Sequence, residues 1–69
     1  RRTKSDVVGE AVVDHCHRRG YHGQVISDAI RVGLMRLKEG RSVATAIQSA
    51  KARADFAAKF GPVDPKGAA

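Results

Sequence analysis

Gln24-Val25-Ile26-Ser27-Asp28-Ala29-Ile30-Arg31-Val32-Gly33-Leu34-Met35-Arg36-Leu37-Lys38-Glu39 is the stretch that decides the fold class. Ile26, Ile30, Gly33, Leu34 and Leu37 recur at the three- and four-residue spacing of one helix face. Gln24, Ser27, Arg31, Met35 and Lys38 share the opposite face. This pattern predicts an amphipathic helix over Gln24–Glu39. Gly33 in its interior costs about 1 kcal/mol relative to Ala. Either a neighbouring helix packs closely at Gly33, or the segment bends there into two short helices.

Working outward, a second helix is predicted from Ser5 to Arg19 and a third from Ser42 to Phe60. Thr3-Lys4-Ser5-Asp6 has the form of a capping box. Val8, Val12 and Cys16 recur every four residues, with Val7 and Ala11 widening the stripe. Arg18 and Arg19 suit a helix C-terminus, and Gly20 stops the helix. Gly40 ends the middle helix, and Ser42 is a good N-cap for the next. Alanines at 44, 46, 50, 52, 54, 57 and 58 give that last segment high helix propensity. Val43, Ile47, Ala50, Ala54 and Ala57 form its apolar stripe, while Phe56 and Phe60 point nearly the other way with Ser49 and Arg53. No segment reads as a strand. The expected architecture is all-α: a compact, helix-turn-helix-like three-helix bundle over residues 1–61. Residues 62–69, with Pro62, Pro65 and Gly67 and no period, read as a linker leading to a further region.

At 69 residues the chain makes one domain at most. A domain of this length buries only about 60% of the surface its unfolded chain exposes, so a partner or a neighbouring domain is expected to support it. Cys16 is the single cysteine, which excludes an internal disulfide and fits a reducing, cytoplasmic setting. The chain lacks an initiator Met and a signal-peptide pattern, and reads as a trimmed piece of a longer protein. No apolar run approaches the ~20 residues of a membrane-spanning helix. His15-Cys16-His17 invites a metal reading, but adjacent helical side chains diverge by about 100°, and the four-ligand spacings of structural zinc are missing. The acids are scattered singly, and no Gly-rich phosphate loop or nucleophile with an orienting base is visible. Neither catalytic residues nor a cofactor are expected, and the chain reads as a binding module rather than an enzyme.

The charge is more informative. Thirteen Lys and Arg against seven Asp and Glu give a net charge of +6, which points to a polyanion. The basic and polar residues gather between 31 and 53. Arg31, Arg36, Lys38, Arg41, Ser42, Thr45, Gln48 and Lys51 are the candidate DNA-contacting residues. Arg and Lys suit phosphates or guanine, Gln suits adenine, and polar groups at a helix start suit phosphate. The expected partner is double-stranded DNA. Homodimerisation or cooperative assembly on DNA is a further expectation, carried by the Phe56/Phe60 face. The alternative is a helical protein-interaction module using that same face.

Two resemblances bear on the DNA reading. The apolar helix ending in His17-Arg18-Arg19, followed by Tyr21-His22-Gly23-Gln24-Val25-Ile26, resembles the start of a PadR-type transcriptional regulator over residues 8 to about 40. Gln24 stands where that family usually carries an aromatic, and nothing here builds its β-hairpin wing. The pattern is similar to small plasmid-encoded bacterial regulators of the StbA type. That resemblance implies an N-terminal helix-turn-helix domain that binds repeated DNA sites, represses transcription and contributes to plasmid partition and stability. Ser27-Asp28-Ala29-Ile30-Arg31-Val32-Gly33-Leu34 also resembles the second helix of ParD- or CopG-like ribbon-helix-helix repressors. That fold requires an N-terminal strand, which Arg1 to Ser5 do not pattern.

Overall fold

The computed structural model describes residues 1–61. The linker reading of residues 62–69 lies outside the described residues. Three helices, α1 (Lys4–Arg18), α2 (Gln24–Lys38) and α3 (Val43–Phe60), pack as an all-α bundle, with no strand among the described residues. Their ends fall within one residue of the sequence-based bounds.

Each end has an identifiable cause. The Thr3 side chain accepts from the Asp6 N–H, and the Asp6 carboxylate accepts from the Thr3 N–H, each at 3.1 Å, closing the capping box. The α1–α2 and α2–α3 turns share one device. Gly20 (φ +77°) and Gly40 (φ +86°) take the left-handed conformation that terminates a helix. Tyr21 N–H then donates to Cys16 C=O at 2.8 Å, and Arg41 N–H to Arg36 C=O at 3.0 Å. These are the long bonds of two Schellman motifs.

The core is built from small residues. Val8, Val12, Cys16, Ala29, Ala46, Ala50 and Ala54 are fully buried. Tyr21, Val25, Ile26, Ile30, Leu37, Val43 and Ile47 pack around them half-buried. On α2 the buried residues are Asp28, Ala29 and Gly33; Gly33 lies on the face that the spacing predicts, whereas Ile26, Ile30, Leu34 and Leu37 of that face are half-buried. On α3, Ala46 joins Ala50, Ala54 and Ala57 at the centre, while Val43 and Ile47 flank it. Small residues face one another because they let two helices approach, and the larger aliphatics then close the edges.

Gly33 marks the closest approach. A Cβ there would stand 2.7 Å from Val8 Cγ1, 3.2 Å from Ala50 Cβ and 3.5 Å from the Ala46 carbonyl oxygen. Of the two readings of this glycine, close packing holds, and α2 continues through it as one helix. Gly33 is where α1, α2 and α3 meet.

Candidate nucleic-acid interface

The ion pairs decide which charges remain available at the surface. Asp28 is the one buried charged residue among the described ones, and the Arg53 guanidinium donates to it at 2.6 Å across α2 and α3. Arg53 also lies over the Phe56 ring, 5.3 Å from its centroid. Glu39 takes Arg36 at 3.0 Å and Arg41 at 3.9 Å. Asp14 pairs with Arg18 at 3.0 Å, and Glu10 pairs with Arg2. Asp6 is committed to its cap.

Asp55 gathers a cluster that ties the α1–α2 turn to α3. His15 Nε2 and the Tyr21 hydroxyl both lie 3.1 Å from Asp55 Oδ1, with Arg19 at 3.7 Å. Desolvation pushes the Asp55 carboxyl up, but the His15 and Tyr21 hydrogen bonds and the His15 and Arg19 charges outweigh it, and its pKa falls below the ordinary value. Desolvation, then the hydrogen bond to Asp55 and its charge, push the Tyr21 phenol up against the pull of Arg19. Burial, then the Asp55 charge, raises the Cys16 thiol. His15, Cys16 and His17 part company: Cys16 is in the core, His15 faces Asp55 and His17 is exposed.

Every acid among the described residues is thus engaged. Outside these ion pairs stand Arg1, Lys4, Arg31, Lys38, Lys51 and Lys59, with Lys59 resting over the Phe60 ring at 5.3 Å.

The eight predicted contact residues do not form one patch. Arg31 and Lys38 lie on the exposed face of α2 with Gln24, Ser27 and Met35. Arg31, Leu34, Met35 and Lys38 border a shallow depression of about 290 Å³. Arg36 is half-buried on the flank of α2 that meets α3, beside Val32, Ser49, Ala52, Arg53 and Phe56, and is held by Glu39. Arg41 is exposed beside the same carboxylate. Ser42 and Thr45 bond to each other: the Ser42 hydroxyl accepts from Thr45 N–H at 3.2 Å and donates to Thr45 Oγ1 at 3.1 Å. Gln48 is exposed on the outer side of α3. Lys51 is half-buried, one turn before Asp55, on the flank that meets α1.

Sequence reasoning missed Arg53 as a partner for Asp28 and Asp55 as the hub for His15 and Tyr21. Asp28 belongs to neither the apolar nor the polar stripe of α2 that the spacing marks out. Its burial becomes visible only once α3 is in place, and a buried carboxylate then requires a cation from the neighbouring element, which Arg53 supplies.

No protein-family model, curated protein or solved structure matches the chain.

Proposed function

We propose that this domain binds double-stranded DNA through the phosphate backbone, as the DNA-binding part of a bacterial transcriptional repressor or plasmid segregation factor acting on repeated sites. The observation that carries the reading is the distribution of unneutralised charge. The described acids are all engaged within the fold, and the cations left over include two on one open helix face. A surface of this kind attracts a polyanion by counterion release and needs no enclosed pocket. No described helix is long and apolar enough to cross a membrane. The test is a mobility-shift titration of the 69-residue chain against fragmented duplex DNA, at low and at physiological salt. Retardation at low salt that weakens at physiological salt supports the reading, and none at either salt refutes it.

A second reading has its own observation. Phe56 and Phe60 are 46% and 66% exposed, and their rings touch at 4.8 Å between centroids. The α1–α2 end meets α3 at Asp55, through His15 and Tyr21, and leaves both rings exposed. Two exposed rings beside an open depression suit a protein contact, with a second copy of the domain as its occupant. Sedimentation equilibrium on the native chain and on Phe56→Ala/Phe60→Ala tests it. Self-association lost in the double variant supports the contact, and a monomer in both cases removes it.

A further inference from the structure

We propose that the outer face of α2 is the element that enters the major groove, with Ser27 and Arg31 reading base edges and Gln24 and Lys38 holding the flanking backbone. The inference rests on the DNA reading and goes further by choosing one surface.

Gln24, Ser27, Arg31, Met35 and Lys38 are all exposed and fall within an arc of roughly 80° around the helix. At 1.5 Å per residue the stripe runs about 21 Å. None of its polar side chains forms a hydrogen bond or an ion pair among the described residues, so none must be released before it binds. It also carries no acid. The one acid of α2, Asp28, is turned inward, buried and neutralised by Arg53, and Glu39 beyond the helix end is held by Arg36 and Arg41.

The other two helices fail on these terms. The exposed side of α1 carries Asp6, Glu10 and Asp14. The exposed side of α3 carries Gln48 and Lys59, but with Asp55 among them, alanines at 44, 52 and 58, and the mutually bonded Ser42 and Thr45 at its start. Among the described residues, only α2 combines unpaired cations, unpaired polar readers and freedom from acids on one face.

The dimensions fit as well. A helix with side chains is about 10–12 Å across, and the major groove is about 12 Å wide. Arg31, near the middle of the stripe, can bridge guanine O6 and N7, and the Ser27 hydroxyl one turn earlier reaches the next base edge. Leu34 and Met35 offer an apolar patch between the two cations, suited to a thymine methyl group. Lys38, about 10 Å further along than Arg31, reaches a phosphate.

The experiment is selection of bound duplexes from a random-sequence pool by the native chain, followed by the same selection with four single variants. The expected result is an enriched motif for the native chain. Arg31→Ala should lose preference at one or two positions by roughly 5- to 150-fold, and Ser27→Ala at the adjacent one. Lys38→Ala should weaken all sequences evenly. Gln48→Ala on α3 should leave the motif intact. Circular dichroism of each variant should match the native chain, because these side chains make no internal bonds. Duplex binding with no enriched motif, or a motif altered by Gln48→Ala and untouched by Arg31→Ala and Ser27→Ala, overturns the assignment while DNA binding stands. Failure of the native chain to retain any duplex at low salt overturns both.

Discussion

Replacing Gly33 with Ala tests the packing that holds α2 in place. The added methyl would sit 2.7 Å from Val8 Cγ1, where two carbons prefer about 3.5–4.0 Å. Val8 is fully buried and β-branched, so it has little room to turn away. Ala50 Cβ at 3.2 Å closes the opposite side. Overpacking of this kind costs about 1–3 kcal/mol, and the higher helix propensity of Ala returns about 1 kcal/mol. The expected net loss is about 0–2 kcal/mol, which lowers the Tm of a domain this size by up to roughly 16 °C. Thermal melts by far-UV circular dichroism read the effect directly. Gly9→Ala serves as the control, since a Cβ on Gly9 meets nothing within 4 Å and the helix should gain about 0.5–1 kcal/mol. In a Val8→Ala background the main clash is gone, so Gly33→Ala should become neutral or stabilising. A higher Tm for Gly33→Ala in the native background would refute the close three-helix approach.

Other perturbations probe the polar links. Arg53→Ala should cost about 2–4 kcal/mol by leaving Asp28 buried without its partner, and Asp28→Ala/Arg53→Ala should cost less than the two single losses added, as a double-mutant cycle in urea will show. Ser42→Ala should remove about 1 kcal/mol of stability and leave DNA affinity unchanged beyond that, because its hydroxyl already caps Thr45; equilibrium binding well below the Tm separates the two effects. The Asp55 carboxyl titrates below its ordinary 3.8 in the folded state, so its contribution is fully present above that value and is lost as pH falls through the lower folded pKa. Asp55 is half-exposed, and its share of the acid-induced loss should be small. Asp55→Asn should therefore flatten the acid limb of a stability–pH profile.

Much of the fold was legible because its signals are local. Thr3, Ser42, Gly20 and Gly40 set helix ends through bonds spanning a few residues, and the sequence carries those directly. Val8, Val12 and Cys16 also reached the core as their spacing implied. The rotation of α2 that buries Ala29 beside Gly33 was not legible from that helix alone. It depends on Ala46 and Ala50 offering an equally small surface on α3, a match between two distant segments. The candidate interface divides the same way. Arg31 and Lys38 have no acid partner among the described residues because Asp28 turns inward to Arg53, a pair separated by half of α2, the turn and half of α3. Arg36 and Arg41 look equivalent to them in sequence, yet Glu39 holds both.

The measurement that bears most directly on the central claim is the salt dependence of duplex binding by the 69-residue chain, followed by fluorescence anisotropy. Each neutralised phosphate contributes a slope of about −0.9 in log K against log salt, so the two free cations of the α2 face, Arg31 and Lys38, predict a slope of roughly −1 to −2. Lys38→Ala should reduce its magnitude by about 1, the share of one phosphate contact. A slope near zero between low and physiological salt, or one unchanged in Lys38→Ala and Arg31→Ala together, would contradict DNA binding through the open face of α2.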